Sequence, residues 1–276
     1  MLLALALPLA LTACGGAVES TAPPTRAPGT SADAKADVTA APAPTADGTA
    51  AASPLAGRTI VVDPGHNPGN FLHSAEINKK VNIGTNRKEC DTTGTSTNAG
   101  YTEAAFTLDV SHRLRDLLKK QGATVVLVHD AERPYGPCID ERARIGNAAK
   151  ADAVVSVHAD GSAAGNRGFH VILPARVSGG AADTAKIVAP SRKLGEHIVT
   201  RFARTTGTQP ANYIGSGTGL DVRDDLGGLN LSTVPKVFLE CGNMRDPKDA
   251  ALLTDAAWRQ RAAQGIADGI RAYLQG

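Results

Sequence analysis

Four side chains far apart in the 276-residue chain, His66, Glu103, His158 and Glu240, have the chemistry of a metal-assisted hydrolase. A catalytic zinc commonly takes three protein ligands from histidine and carboxylate and keeps a fourth position for water. A further carboxylate can accept that water's proton and return it to the leaving group. Three of the four follow apolar runs: Ile60-Val61-Val62 leads through Asp63-Pro64-Gly65 to His66, Ala153-Val154-Val155-Ser156-Val157 leads to His158, and Val237-Phe238-Leu239 leads to Glu240. Such runs read as strands of a parallel sheet buried on both faces, and open α/β sheets place ligands beyond the carboxyl ends of their strands. Three strand ends therefore predict one rim and one site. Spacing alone makes the two histidines suggestive and no more, since no HExxH helix exists in the chain. Glu103 stands in the first turn of a helix, where spacing alone favours a carboxylate that complements the helix dipole over a ligand.

The elements that must position these residues alternate along the chain. Apolar residues from Ala105 to Leu118 recur at helical spacing after Tyr101-Thr102-Glu103, and Gly122 is placed to cap the helix. His112 falls inside it as a structural residue. A strand is expected over 123–128, then a Pro/Gly loop with Cys138. A short helix over 141–150 would carry Arg142 and Arg144 as surface charge. The strand 168–173 reads as antiparallel or near an edge, with His170 as one alternating side chain. A helix over 186–206, a Gly-rich loop over 212–225 containing Arg223, and a final helical region from the Asp246 cap to Tyr273 complete the chain. The pattern is α/β: a single domain over 57–276, with a mostly parallel twisted sheet flanked by helices. The polar insert from Asn67 to Gly100 is long for a loop in such a domain and should border the cleft. Its His73 and Glu76 are metal-competent, but polar loop side chains are ordinary.

The first 56 residues differ in kind. Residues 1–14 are a Leu/Ala/Pro-rich run ending in Leu11-Thr12-Ala13-Cys14, read as a signal peptide with a lipobox-like end, although no Lys or Arg precedes the apolar run. Acylation at Cys14 would attach the exported protein to a membrane in the cell envelope. Residues 15–56, rich in Ala, Pro and Thr, have little to bury and read as a disordered tether. Export places the remaining cysteines where disulfides persist. Cys90 and Cys138 both lie in loop-like stretches and are expected to pair, leaving Cys241 as a free buried thiol. A formal charge of +2 gives no electrostatic case for nucleic acid. Hydrophobic content of 42 % allows a sizeable core.

Four motifs in order, Val62-Asp63-Pro64-Gly65-His66, Gly100-Tyr101-Thr102-Glu103, Ser156-Val157-His158-Ala159-Asp160 and Leu239-Glu240-Cys241-Gly242-Asn243, carry a resemblance. From Gly57 to about Leu274 the chain resembles the zinc-dependent N-acetylmuramoyl-L-alanine amidases of the amidase-3 type, bacterial cell-wall hydrolases. The resemblance implies one zinc per chain held by His66, Glu103 and His158, with Glu240 as the catalytic carboxylate. It places Arg223 near the rim as a substrate-orienting residue and makes Arg142 structural. The family often has Thr-Arg after its second strand, where this chain has Val128-His129, and an apolar residue where it has Cys241. Some relatives carry a helical insertion that plugs the cleft; here the segment 161–180 is short and Gly/Ala-rich, so an open site with no obligatory activator is expected. The implied activity is hydrolysis of the amide joining N-acetylmuramic acid to L-alanine, in peptidoglycan or muropeptide fragments, during wall remodelling or recycling. The rival readings are a non-catalytic peptidoglycan-binding lipoprotein and a zinc peptidase cutting within the stem peptide.

Overall fold

The computed structural model describes residues 53–276. The signal segment, Cys14 and most of the Ala/Pro/Thr-rich stretch lie outside the described residues. The elements that carry the site are β1 (Thr59–Pro64), α1 (Glu103–Lys120), β2 (Thr124–Leu127), α2 (Ile139–Ala148), β3 (Ala153–Asp160), β4 (His170–Pro174), α3 (Val188–Thr206), β5 (Leu220–Arg223), β6 (Lys236–Asn243), α4 (Pro247–Thr254) and α5 (Ala256–Gln275). The six strands lie in the order β2-β1-β3-β6-β4-β5. The first four in that order run parallel, β4 is antiparallel to β6, and edge strand β5 runs parallel to β4.

Alternation along β1 shows how the sheet is covered. Ile60 and Val62 enter the large core with Phe106, Val110, Leu114 and Leu118 of α1, Ile198 and Phe202 of α3, and Trp258 and Ile266 of α5. Val61 points the other way, into a small cluster with Val128, Ala151 and Val154. A β-branched run with both neighbours apolar is thus buried on both faces, as period-2 geometry requires. The same pairing sets the rim. Glu240 on β6 stands directly opposite His158 on β3, and β1 reaches the same level, with Pro64 opposite Val157.

Several boundaries differ from the sequence reading. Asp63 and Pro64, beyond the apolar run, are still paired in β1, and Gly65 N–H continues by donating to Val157 O at 2.9 Å. The Gly-rich stretch 212–225 is not all loop, since Leu220–Arg223 forms β5. The C-terminal helical region is two helices, broken at Asp255, whose side chain caps α5 by accepting from Trp258 N–H. Arg142 is not surface charge but 5 % exposed, because its partners are buried carboxylates from elsewhere in the chain. Arg144 does face solvent. Cys90 and Cys138 form a disulfide, and Cys241 is free and buried.

Candidate metal centre

His66 follows β1 in the left-handed region, at φ 61°, a conformation that non-glycine residues hold only where the surroundings enforce it. The enforcement is visible. Arg142 donates to His66 O at 2.9 Å, and His66 Nδ1 lies 3.0 Å from Thr92 O. His66 Nε2 is thereby turned inward, 3.1 Å from Glu103 Oε1. Glu103 opens α1 because Thr102 caps the helix, accepting from Ala105 N–H at 3.3 Å. Its Oε2 accepts from Thr95 N–H at 2.9 Å and its Oε1 from Ala159 N–H at 3.2 Å. His158, near the end of β3, brings Nδ1 to 2.9 Å from Glu103 Oε1. Its ring is stacked on Phe238, centroids 5.2 Å apart, and lies flat against Gly65. No larger residue fits there, since a Cβ on Gly65 would sit 2.4 Å from His158 Cε1.

One ligand atom from each of His66, Glu103 and His158 lies within 4.8 Å of the others. Two imidazoles and a carboxylate, each held by outer hydrogen bonds or packing, are a donor set that fits a divalent cation of the zinc type. The electrostatics agree. Burial opposes the charged form of His66, yet the charges of Glu103 and Asp91 push it up to about 10. Burial also opposes ionisation of Glu103, but the two histidines hold it well below the usual carboxylate range. The buried carboxylates thus favour positive charge at this cluster.

Glu240 borders the same cavity, of about 260 Å³, as the three. Its Oε2 is buried with no hydrogen-bond partner, and burial, then the charges of Glu103 and Asp160, push its carboxyl well above the usual range. An unpaired buried acceptor is costly in a fold. Arg223 lies at the rim of this cavity, held in a two-pronged pair with Asp225 by contacts of 2.8 Å. His73 pairs loosely with Glu76, at 3.7 Å, away from the cluster. His170 is a buried neighbour of Glu240 across β4 and β6, and His112 pairs with Asp130.

Beneath the cluster lies a charge network that sequence reasoning missed. Asp63, fully buried, accepts from Arg142 at 2.7 Å, from Lys236 at 3.0 Å and from Ser156 at 3.0 Å. Arg142 also donates to Asp91 at 2.9 Å, and Asp91 lies 3.6 Å from His66 Nδ1. The signal was available: a charged residue at the end of a fully buried strand, Asp63, and another at the start of one, Lys236, must find each other or an equivalent partner.

A family comparison decides what this site belongs to. The N-acetylmuramoyl-L-alanine amidase family model (Amidase_3) matches residues 60–272, which span the whole cluster. The chain belongs to this amidase family. An N-acetylmuramoyl-L-alanine amidase of Mycobacterium tuberculosis is 39 % identical over 221 residues, 80 % of this chain and 88 % of the relative. Among solved structures, the amidase Ami1 of Mycobacterium smegmatis superposes with a TM-score of 0.73 at 37 % identity, covering 80 % of this chain and 98 % of its own. Ami1 of Mycobacterium abscessus gives 0.72 at 40 % identity, covering 80 % and 100 %. The matched range includes His66, Glu103, His158 and Glu240.

Proposed function

We infer that this protein is a zinc-dependent N-acetylmuramoyl-L-alanine amidase, cutting the amide between the lactyl group of N-acetylmuramic acid and the first residue of the stem peptide. The observation that carries this reading is the meeting of three ligand atoms within 4.8 Å beside the unpaired Glu240 Oε2. His66, Glu103 and His158 would hold the ion. Zinc bound there supplies Lewis acidity towards the scissile carbonyl and lowers the pKa of water towards neutrality. Glu240 Oε2, which has no partner of its own, takes the proton from the attacking water and delivers it to the departing amine nitrogen of L-alanine. Thr92, Phe238 and Gly65 orient the two imidazoles. Arg223 orients a carboxylate of the stem peptide at the rim.

Peptidoglycan as substrate and action in the cell envelope follow the family. Export by the segment 1–14, a tether over 15–56 and acylation at Cys14 belong to the same reading. The cleft needs no activator on this reading; the segment 161–180, where a plug would sit, is loop and strand. Mass spectrometry of muropeptides digested by the zinc-loaded protein tests it. The expected products are N-acetylmuramic acid with a free lactyl carboxyl and a stem peptide beginning with L-alanine. Cleavage inside the stem peptide, or none, would replace this reading with one of its rivals.

A further inference from the structure

The insert 67–100 displays an aromatic ring to solvent beside the catalytic cavity. Phe71 is 68 % exposed, which forgoes roughly 2 kcal/mol of burial for a side chain of that size. Its position is built. Asn67 and Asn70 are both buried and pin the turn that carries it: Asn67 Nδ2 donates to Gly136 O at 2.9 Å and Asn70 Nδ2 to Thr92 O at 2.7 Å. Asn70 Oδ1 accepts from Gly136 N–H at 2.9 Å. Thr92 O is the same oxygen that faces His66 Nδ1, so the turn is tied to the metal cluster.

Phe71 forms one wall of an open groove of about 520 Å³, with the hydroxyl residues Thr93, Ser96 and Thr102 on others. The groove joins the catalytic cavity through Gly94 and Thr95, which line both. A different chamber of about 260 Å³ adjoins the cluster and shares no lining residue with this groove. That chamber is walled by Leu226 and Phe238, and Lys88 and Asp225 of its lining pair at 2.9 Å. The two limbs differ in chemistry. One offers hydroxyls and an exposed ring, which suits a pyranose with its polar edge and apolar C–H face. The other offers apolar walls and charges, which suits a peptide.

We propose that the Phe71 groove is a glycan subsite, in which the ring stacks on the sugar next to N-acetylmuramic acid while the stem peptide lies towards Arg223 and Lys88. The proposal deepens the amidase reading and rests on it for the orientation of the substrate. It commits to a sugar chain as the occupant because the groove is continuous with the catalytic cavity.

Two measurements on the zinc-loaded full chain test it. The first compares Phe71→Ala with wild type on a muramoyl peptide bearing one sugar and on one bearing four. The variant should lose about tenfold in kcat/KM on the longer glycan, mostly through KM, and stay within about twofold on the shorter, with Phe71→Trp restoring the longer. An equal loss on both substrates, or a loss on neither, overturns the subsite. The second, independent of turnover, is calorimetric binding of an N-acetylglucosamine tetrasaccharide. Binding that Phe71→Ala abolishes supports the subsite even if the amidase reading fails. Absent or unchanged binding overturns it, as does a variant that loses only affinity for anionic vesicles. Failure of wild type to release stem peptide from either substrate counts against the amidase reading alone.

Discussion

Thr92 O lies 3.0 Å from His66 Nδ1, on the side of the ring away from the Nε2 that faces Glu103. A carbonyl can only accept, so this contact keeps a proton on Nδ1, and a cation bound at the cluster would replace the proton that His66 Nε2 shares with Glu103. The residue before Asp91-Thr92 is Cys90, tied to Cys138 at the start of α2. The acceptor that orients His66 is therefore held in place by a covalent cross-link and by the Arg142–Asp91 pair.

Opening that cross-link should weaken metal binding. Cys90→Ser with Cys138→Ser is expected to lower zinc affinity by about tenfold, the scale of outer-sphere effects on metal-bound histidine. Competition with a chromophoric chelator measures it, with circular dichroism confirming a folded chain. Unchanged affinity in a folded variant would show that the Asp91-Thr92 segment holds itself.

Gly65→Ala tests the other imidazole. A methyl group 2.4 Å from His158 Cε1 cannot be accommodated while that ring stays stacked on Phe238. The variant should lose zinc affinity by about tenfold or more while the sheet persists. Wild-type affinity would mean that His158 moves without cost.

The strand ends were legible because short apolar runs lead to His66, His158 and Glu240, although spacing alone left the histidines only suggestive. Glu103 was half-legible: its place in the first helical turn was clear, but its proposed role came from resemblance. Arg142 was misread because a short helix rich in charge looks like a surface, and its carboxylate partners, Asp63 and Asp91, come from distant stretches of the chain. Strand β5 was hidden by the glycines around it; with only Leu220 and Val222 to show alternation, its pairing to β4 comes from tertiary contact.

The buried network predicts an acid-sensitive fold. Burial opposes ionisation of Asp63, but Lys236 and Arg142 hold its carboxyl well below the usual range. A depressed folded pKa contributes stability that is present above the unfolded value near 4 and is lost as pH falls through the folded one. Thermal unfolding midpoints should therefore hold from neutrality to about pH 5 and decline below about pH 4. Asp63→Asn should cost about 3–5 kcal/mol at pH 7, since it leaves buried Lys236 without its carboxylate and Arg142 with Asp91 alone, and should flatten the acid limb. A variant as stable as wild type at pH 7 contradicts the network's role.

Separating binding from chemistry needs Glu240. Glu240→Gln should retain zinc at one ion per chain while kcat falls by about 100-fold or more. Retained turnover would reassign the proton transfer to another group, and loss of zinc would make Glu240 a ligand.

Anomalous scattering at the zinc absorption edge from crystals of the zinc-loaded protein addresses the site itself. The account predicts one peak in the catalytic cavity, within bonding distance of His66 Nε2, a Glu103 carboxylate oxygen and a His158 ring nitrogen. No peak there, or a peak that leaves any of the three unbound, contradicts it.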